Sequence, residues 1–314
     1  MKSSLTTSVA LCTYQGEHFI EHQLRSILNQ TVPVDEVVIC DDSSSDATIT
    51  LVRRIRHESK IPIRIEVNIP KLGVGGNFEK AINLCSGDII FLSDQDDIWL
   101  PEKVETILRW FEAHPDRDVV FSNGYFMDDH EQVFTQRTLF DAVAFTKKTR
   151  KYFDMGFQTE AFLSHNRVTG ATMALRKSFV HQFTIDKGAT IKNERPLHDH
   201  VIALAAVSLQ KLGYIEKPLI RYRIHTQQEC GFGEWIKRPP HSTDLIKPLV
   251  PKPEIIGYFL PEARERAQFG KKRKQYRRLY TKWKVVTHRK EYQKHYGKYY
   301  HKPLLRDLCW LWIK

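Results

Sequence analysis

The chain of 314 residues carries 48 Lys and Arg against 37 Asp and Glu, a formal net charge of +11. Its apolar content of 41%, with 27% charged residues, is ordinary for a folded globular protein and excludes global disorder. At roughly 150 residues per domain, the length allows two domains or one large α/β domain with an appendage. No segment approaches the ~20 consecutive apolar residues of a membrane span, and the polar N-terminus does not look like a signal peptide.

Five cysteines are scattered along the chain without a CxxC spacing or a cluster with histidines. They are Cys12, Cys40, Cys85, Cys230 and Cys309. This pattern argues against a disulfide framework or a zinc site, and it favours a protein of the reducing cytoplasm.

The charge is divided unevenly along the chain. Residues 1–130 have a balance of −9, whereas residues 131–314 have +20, of which residues 262–314 supply +13. A basic protein invites a nucleic-acid-binding hypothesis, but here the excess of positive charge belongs to one end of the molecule.

Strand-like and helix-like segments alternate along the first 130 residues. Short apolar runs predict strands at residues 8–11, 36–40, 63–67, 88–93 and 119–126. Between these strands, apolar residues recur at helical spacing. The alternation predicts a mostly parallel sheet covered by helices.

The predicted helices have recognisable beginnings. The serines at positions 43–45 are candidate N-caps of the second helix, because their hydroxyls can accept from free backbone N–H groups. A third helix is predicted near residues 77–84. Pro101 opens a fourth, at a position where its missing N–H does no harm.

Polar clusters follow three of the predicted strands, at Thr13 and Tyr14, at Asp41 and Asp42, and within residues 94–97. Ligands of such sheets bind beyond the carboxyl ends of the strands. Carboxylates crowded at this edge would repel one another unless a cation or a donor-rich ligand lay between them. An Asp-x-Asp spacing suits Mg²⁺ or Mn²⁺ shared with a substrate phosphate. The alternative is that these acidic residues simply end strands and cap helices.

Several segments carry a resemblance to a known family. In chain order they are SVALCTYQG, LRSILNQT, DEVVICDDSSSDAT, GVGGNFEKAI, GDIIFLSDQDDIWLPEKV, VTGATMALRKSF, LHDHVIALAA and RYRIHTQQ. Together they resemble the inverting glycosyltransferases of family 2, which have a GT-A fold, over roughly residues 8–230. The form SDQDDIW is similar to the rhamnosyltransferase-like branch, which implies rhamnose as one possible sugar.

The resemblance implies a set of nucleotide-sugar-binding residues. They are Thr13, Tyr14, Asp41, Asp42, Asn77 and Asp94. Thr13 and Tyr14 would line the base pocket, and Asp42, helped by Asp41, would accept a hydrogen bond from the pyrimidine ring. Asp94 would approach the ribose of a UDP- or dTDP-sugar.

The resemblance also implies a divalent cation, a base and an acceptor side. Asp96, together with Asp94 and His225, would hold Mg²⁺ or Mn²⁺. Asp199 would be the general base that deprotonates the acceptor hydroxyl; the alternative is that it only caps its helix. His198 and His200 are expected on the acceptor side.

The C-terminal region has a different composition. Residues 236–261 are proline-rich and predict a linker, and residues 262–314 interleave basic and aromatic residues. Three interpretations stay open for this tail: a helical segment packed on the catalytic domain, a nucleic-acid-binding segment, or a segment that associates with an anionic membrane surface. The last is favoured, because the charge is confined to one end and the apolar stretch at residues 304–313 could insert shallowly.

The sequence therefore predicts a GT-A-like α/β domain and a basic C-terminal extension. Residues 1–130 would form the nucleotide-sugar half, 131–235 the acceptor half, 236–261 the linker and 262–314 the membrane-associating tail. The predicted function is transfer of a sugar to a cell-surface glycan or lipid-linked precursor, at the cytoplasmic face of the cell membrane. The alternative is a nucleic-acid-binding protein that uses the tail and has a degenerate α/β domain, but no nucleic acid is expected.

Overall fold

The structure is a computed structural model that describes residues 5–156, 158–163, 166–182, 197–225 and 228. The predicted linker at 236–261 and the predicted tail at 262–314 lie outside the described residues. Within the described ranges, no helix combines the length and the apolar character that a membrane span requires.

Strands and helices alternate in the described part of the chain. The strands are β1 (Thr7–Thr13), β2 (Glu36–Asp41), β3 (Ile63–Val67), β4 (Ile89–Ser93), β5 (Ile98–Trp99), β6 (Val119–Met127), β7 (Val133–Thr138), β8 (Met173–Arg176) and β9 (Leu212–Arg223). The helices are α1 (Ile20–Leu28), α2 (Thr48–Glu58), α3 (Gly73–Leu84), α4 (Lys103–Ala113), α5 (Leu139–Ala142), α6 (Lys147–Asp154), α7 (Gln158–Leu163) and α8 (His198–Ser208).

These strands form one sheet in the described residues, in the order β3-β2-β1-β4-β8-β6-β9-β5, with β7 paired to β6. The strands β3, β2, β1 and β4 are mutually parallel, and β9 is parallel to β6. Strand β8 runs antiparallel between β4 and β6, and the short β5 runs antiparallel to β9. The predicted α/β fold is confirmed, with an antiparallel insertion that apolar runs alone did not indicate.

The predicted strands match β1, β2, β3, β4 and β6, but the beginnings of the helices differ. The prediction that the serines at 43–45 cap the second helix is wrong, because α2 begins at Thr48. Ser44 instead donates from its amide and its hydroxyl to Asp41, and the Asp46 carboxylate accepts from the Thr48 amide at 3.0 Å. The third helix begins at Gly73, four residues before its predicted start.

Apolar side chains cover both faces of the sheet. On one face, α1, α2 and α4 contribute Leu24, Val52 and Ile107 to a buried core. On the other face, α3 and α8 contribute Phe78 and Ile202 to a second core. Burial at about 25 cal/mol per Å² of apolar surface is the main favourable term for such layers.

The strand directions bring distant parts of the chain to one edge of the sheet. The carboxyl ends of β1, β2 and β4 lie side by side because these strands are parallel neighbours. The beginning of β8 lies beside the end of β4, since the two are antiparallel. The end of β9 reaches the same edge, because β9 is parallel to β6 and β6 is antiparallel to β8.

Central strand β4 supports this edge, and its packing can be tested. Replacement of the fully buried Phe91 by Ala should lower the free energy of unfolding by about 3–5 kcal/mol, because it leaves a cavity in the core. The matched control is Val67→Ala on edge strand β3, where the side chain is 40% exposed and the loss should stay below about 1 kcal/mol. Urea unfolding measures both, and equal losses would contradict the proposed core.

Candidate functional site

Thr13 and Asp41 join the ends of β1 and β2. The Thr13 hydroxyl donates to Asp41 Oδ2 at 2.7 Å, and Ser44 donates to both oxygens of the same carboxylate at 2.6 and 2.7 Å. Asp41 is fully buried, and these donors stabilise its charge. Its carboxylate therefore holds the loop after β2 in place.

Asp42 fixes the beginning of α3. Its carboxylate accepts from the backbone amides of Leu72 and Gly73, at 2.7 and 2.9 Å, and from Asn68 Nδ2 at 3.0 Å. Asn77 continues this network, since it accepts from Asn68 at 2.8 Å and donates to the Cys40 carbonyl at 2.9 Å. An ionised carboxylate has about four acceptor positions, so Asp42 retains capacity for one further donor.

Tyr14 lies at the mouth of this network and is 45% exposed. Its main chain exchanges two hydrogen bonds with the Gln95 side-chain amide, at 2.8 and 2.9 Å. Lys71 Nζ lies 3.8 Å from the centre of the Tyr14 ring and donates to its hydroxyl. A Cβ at Gly16 would collide with the Gln95 amide, so a larger residue there would displace the Gln95 side chain. Gln95 thus connects this loop to residues 94–97 after β4, which we call the acidic loop.

Asp96 and His225 meet across the site. His225 Nε2 lies 2.9 Å from Asp96 Oδ2, and both side chains are mostly buried. A carboxylate and an imidazole that share one location suit Mn²⁺, which accepts mixed oxygen and nitrogen ligands. Among the described residues, no group of three or more His, Cys, Asp or Glu side chains converges as a metal site. Cations shared with a substrate phosphate commonly take only one or two protein carboxylates, with phosphate and water as the other ligands.

Asp97 is fully buried, and the charge of the buried Lys103 acts on it. Asp97 Oδ1 accepts from the Arg223 amide at 3.1 Å, whereas its buried Oδ2 has no hydrogen-bond partner. Burial and the charges of Asp96 and Asp94 raise the pKa of Asp97 well above its ordinary value.

Lys103 is fully buried beneath the same loop. Its Nζ donates to the Ala171 carbonyl at 2.8 Å and lies 3.9 Å from the centre of the Trp99 ring. Burial lowers the pKa of Lys103 to about 7, against the opposing charges of Asp97 and Asp94. The lysine therefore links the beginning of α4 to the turn before β8.

Asp199 lies in the first turn of α8 and is 6% exposed. Its Oδ1 accepts from the His200 amide at 2.6 Å and from Asn166 Nδ2 at 3.1 Å, and its Oδ2 accepts from the Gly170 amide at 3.2 Å. Burial raises the pKa of Asp199 to about 6, although these three donors favour its ionised form. A carboxylate with this pKa is ionised at neutral pH and is still basic enough to accept a proton.

Asp199 and the acidic loop face each other. The Gly170–Thr172 turn that binds Asp199 leads directly into β8, whose beginning lies beside the end of β4. Burial and the charges of Asp96 and Asp199 raise the pKa of the half-buried Asp94. The predicted general base and two of the predicted metal ligands are thus brought to one location.

The two histidines beside Asp199 differ in placement. The buried His198 ring stacks on Phe78 with centroids 3.8 Å apart, and neither ring nitrogen has a hydrogen-bond partner. Burial lowers the pKa of His198 to about 3, so its ring is neutral. His200 is half-buried. The acceptor-side role of both residues stays a prediction.

The structure adds site residues that sequence reasoning missed. They are Gln95, Lys103, Asn166 and Arg223. Gln95 stands in the middle of SDQDDIW, and Lys103 shares a helical stripe with Ile107, so both had a positional signal. Asn166 lies in a stretch without a recognisable motif, so no signal in the sequence marked it.

Comparisons with known proteins identify a related family. The model of the family described as Glycosyl transferase family 2 matches residues 8–183. The dTDP-rhamnosyl transferase RfbG of Shigella flexneri is 27% identical over 250 residues, covering 76% of this chain and 79% of RfbG. The UDP-Glc:alpha-D-GlcNAc-diphosphoundecaprenol beta-1,3-glucosyltransferase WfgD of Escherichia coli is 35% identical over 98 residues, covering 31% of this chain and 38% of WfgD.

A solved structure shares the fold. The crystal structure of S. aureus TarS 1-349 in complex with UDP-GlcNAc matches with a TM-score of 0.53 and 16% sequence identity. The match covers 81% of this chain and 64% of that chain. The chain therefore spans less than two thirds of the length of TarS 1-349 and of WfgD.

The environment of Asp199 can be tested without a turnover assay. In Asn166→Leu, the pKa of Asp199 should rise by roughly one to two pH units, because a hydrogen bond to a charged group contributes about 1.5–3 kcal/mol and one unit corresponds to about 1.36 kcal/mol. Carboxyl ¹³C NMR titration of labelled aspartate, with Asp199→Asn to assign the signal, measures the change. The control Asn29→Ala, at the exposed end of α1, should leave this titration unchanged. An unchanged titration in Asn166→Leu would contradict the described contact.

Proposed function

Because the chain belongs to glycosyl transferase family 2, we propose that it transfers a sugar from a nucleoside diphosphate donor to a hydroxyl group, with inversion at the anomeric carbon. The observation that carries this proposal is the position of Asp199 opposite the acidic loop, through the Gly170–Thr172 turn. A base and a diphosphate site must flank the anomeric carbon in such a displacement. Family membership favours this function over the nucleic-acid-binding alternative.

The donor would lie along the ends of β1, β2 and β4. The exposed Tyr14 ring offers a stacking face for the base, and Asp42 retains an acceptor position for a ring N–H. Asp94 would bind the ribose. Thr13, Asp41 and Asn77 would act mainly by holding the pocket, since their polar atoms are engaged within the protein.

Asp96 and His225 would hold Mg²⁺ or Mn²⁺, with Asp94 close by. A bound cation would offset the negative charge that builds on the departing diphosphate. The chain's own contribution is to present a carboxylate and an imidazole 2.9 Å apart in a half-buried pocket. This short separation lets both side chains reach the same ion.

Asp199 would accept the proton of the acceptor hydroxyl while that oxygen bonds to the anomeric carbon. The bond from this carbon to the diphosphate oxygen breaks, and the nucleoside diphosphate leaves with the electron pair. The carboxylate is oriented by the Gly170 and His200 amides and by Asn166. Because the acceptor oxygen displaces the diphosphate directly, no covalent enzyme intermediate is needed.

The acceptor would be a cell-surface glycan or a lipid-linked precursor. RfbG is named for dTDP-rhamnosyl transfer and WfgD for an acceptor on diphosphoundecaprenol. These names support a deoxyhexose or hexose donor and a lipid-linked acceptor. His200, directly after the base, would lie on the acceptor side, with His198 supporting it from within.

The basic tail at 262–314 would bind the inner face of the cell membrane, where such acceptors are held. Its balance of +13, interleaved with Tyr and Trp, fits an anionic interface, at about 1 kcal/mol for each basic residue near the surface. Residues 1–261 would then be held close to the lipid-linked substrate.

Asp199→Asn should abolish transfer and keep donor binding. The proton-accepting group is lost, which removes about 10²–10⁴-fold in rate, whereas the nucleotide contacts are unchanged. In the parent protein, the transfer rate should rise with pH through about 6 and then level off, because Asp199 is active only when ionised. A screen of UDP- and dTDP-sugars with Mn²⁺, followed by pH–rate profiles, measures this.

The control for that experiment is Asp116→Asn, an equivalent change at an exposed position outside the site. It should retain the rate and the pH profile. Full transfer activity in Asp199→Asn would contradict the proposed base, and a parent protein that binds no nucleotide sugar would contradict the function itself.

A variant ending at residue 261 should lose association with vesicles that contain phosphatidylglycerol but still bind nucleotide. Co-sedimentation at two salt concentrations measures this, with neutral phosphatidylcholine vesicles as the control. A full-length variant with Lys271, Lys272, Arg273 and Lys274 changed to Gln should give a partial loss. Unchanged association of the shortened chain would contradict the membrane role.

A further inference from the structure

Arg223 is the charged residue on which the acidic loop rests. It ends β9, and its side chain is 2% exposed. Its Nε donates to the Asp96 carbonyl at 2.8 Å, and its backbone amide donates to Asp97 Oδ1 at 3.1 Å. Arg223 therefore fixes the main chain of Asp96 and the side chain of Asp97.

The same guanidinium also holds the turn between β6 and β7. Its Nη1 donates to the Asp128 carbonyl at 3.3 Å, and its Nη2 pairs with Glu131 Oε1 at 3.1 Å. Glu131 has a φ of 63°, in the left-handed region that is unusual for glutamate. His22 of α1 contacts the same Glu131 oxygen at 2.5 Å. Arg223 is thus bonded to two separate segments of the chain, the acidic loop and the turn between β6 and β7.

Arg223 and His225 face the same aromatic ring. The Arg223 guanidinium carbon lies 5.0 Å from the centre of the Phe19 ring, and the His225 ring lies 4.6 Å from it. His225 lies two residues beyond the end of β9 and packs on the same ring as Arg223, so a change at Arg223 also alters the surface against which His225 rests. Both partners of the Asp96–His225 pair consequently depend on this arginine.

We propose that Arg223 is a positioning residue for the cation site, which holds Asp96 and His225 at the separation that a shared divalent cation requires. This inference rests on the proposed function, because it takes Asp96 and His225 as cation ligands. Arg223 would act through the Asp96 carbonyl and Phe19 and not as a ligand of the cation, since its side chain donates to the Asp96 and Asp128 carbonyls and to Glu131. Without the guanidinium, the acidic loop would keep the backbone bond to Asp97 but lose the bond to the Asp96 carbonyl, and the carboxylate of Asp96 would sample other orientations.

The test compares Mn²⁺ binding by the full chain and by Arg223→Lys and Arg223→Met, in the presence of UDP or dTDP. Free Mn²⁺ is measured by EPR, which needs no turnover. Residues that orient metal ligands typically contribute about 10–100-fold to affinity, so the Kd for Mn²⁺ should rise by about that factor in both variants. Activity should return largely at saturating Mn²⁺, because the ligands themselves remain.

Arg176→Lys is the matched control. The Arg176 guanidinium also lies 5.0 Å from a phenylalanine ring, that of Phe111, and it donates to the carbonyls of Arg117 and Phe111. It lies at the end of β8 that is opposite to the site. Arg176→Lys should lower the thermal unfolding temperature about as much as the Arg223 variants do, but its Kd for Mn²⁺ should be unchanged.

Glu131→Gln supplies a second variant if the Arg223 variants do not fold. Loss of the charged partner should loosen the guanidinium and raise the Kd for Mn²⁺ by a smaller factor, with the fold retained. A parent protein without nucleotide-dependent Mn²⁺ binding would overturn the metal-assisted part of the proposed function. Normal binding in the parent, and equal binding in the Arg223 and Glu131 variants, would overturn this inference alone.

Discussion

Mutual repulsion between carboxylates is the constraint on which the site depends. Parallel strand pairing delivers Asp41, Asp42 and the residues 94–97 to one sheet edge, and the turn before β8 adds Asp199. Buried like charges at such distances are costly unless donors or cations compensate them. Much of the polar structure around the site is explained by this requirement.

The chain compensates these charges in three different ways. Asp41 and Asp42 are surrounded by hydroxyl and backbone donors, which stabilise both carboxylates. Asp97 accepts from the Arg223 backbone amide and has a pKa raised by burial, whereas Asp96 meets an imidazole. Asp199 receives three donors yet retains a raised pKa, because burial outweighs them. Different compensation gives chemically similar side chains different roles.

The fold was largely predictable, because five strands of the sheet are marked by short segments rich in apolar residues, and family motifs follow one another in order along the chain. The antiparallel position of β8 was not predictable, since a strand of four residues is too short to show a recognisable period of apolar residues. The serine caps failed because Asp41 competes for Ser44. Asp96, His225 and Asp199 could be named from motifs, but the contacts that hold them could not. Arg223 and Lys103 bond to backbone carbonyls, and a carbonyl is present at every position of a sequence.

The bond from Lys103 to the Ala171 carbonyl has a consequence for recombination between related enzymes. Lys103 lies in the predicted nucleotide-sugar half and Ala171 in the predicted acceptor half, yet the hydrogen bond is accepted by a main-chain oxygen. Any residue at position 171 presents the same oxygen, provided that the turn keeps its path. Acceptor halves of differing sequence could therefore be exchanged as units without any change to this hydrogen bond. Lys103, in contrast, would have to be kept together with the acidic loop.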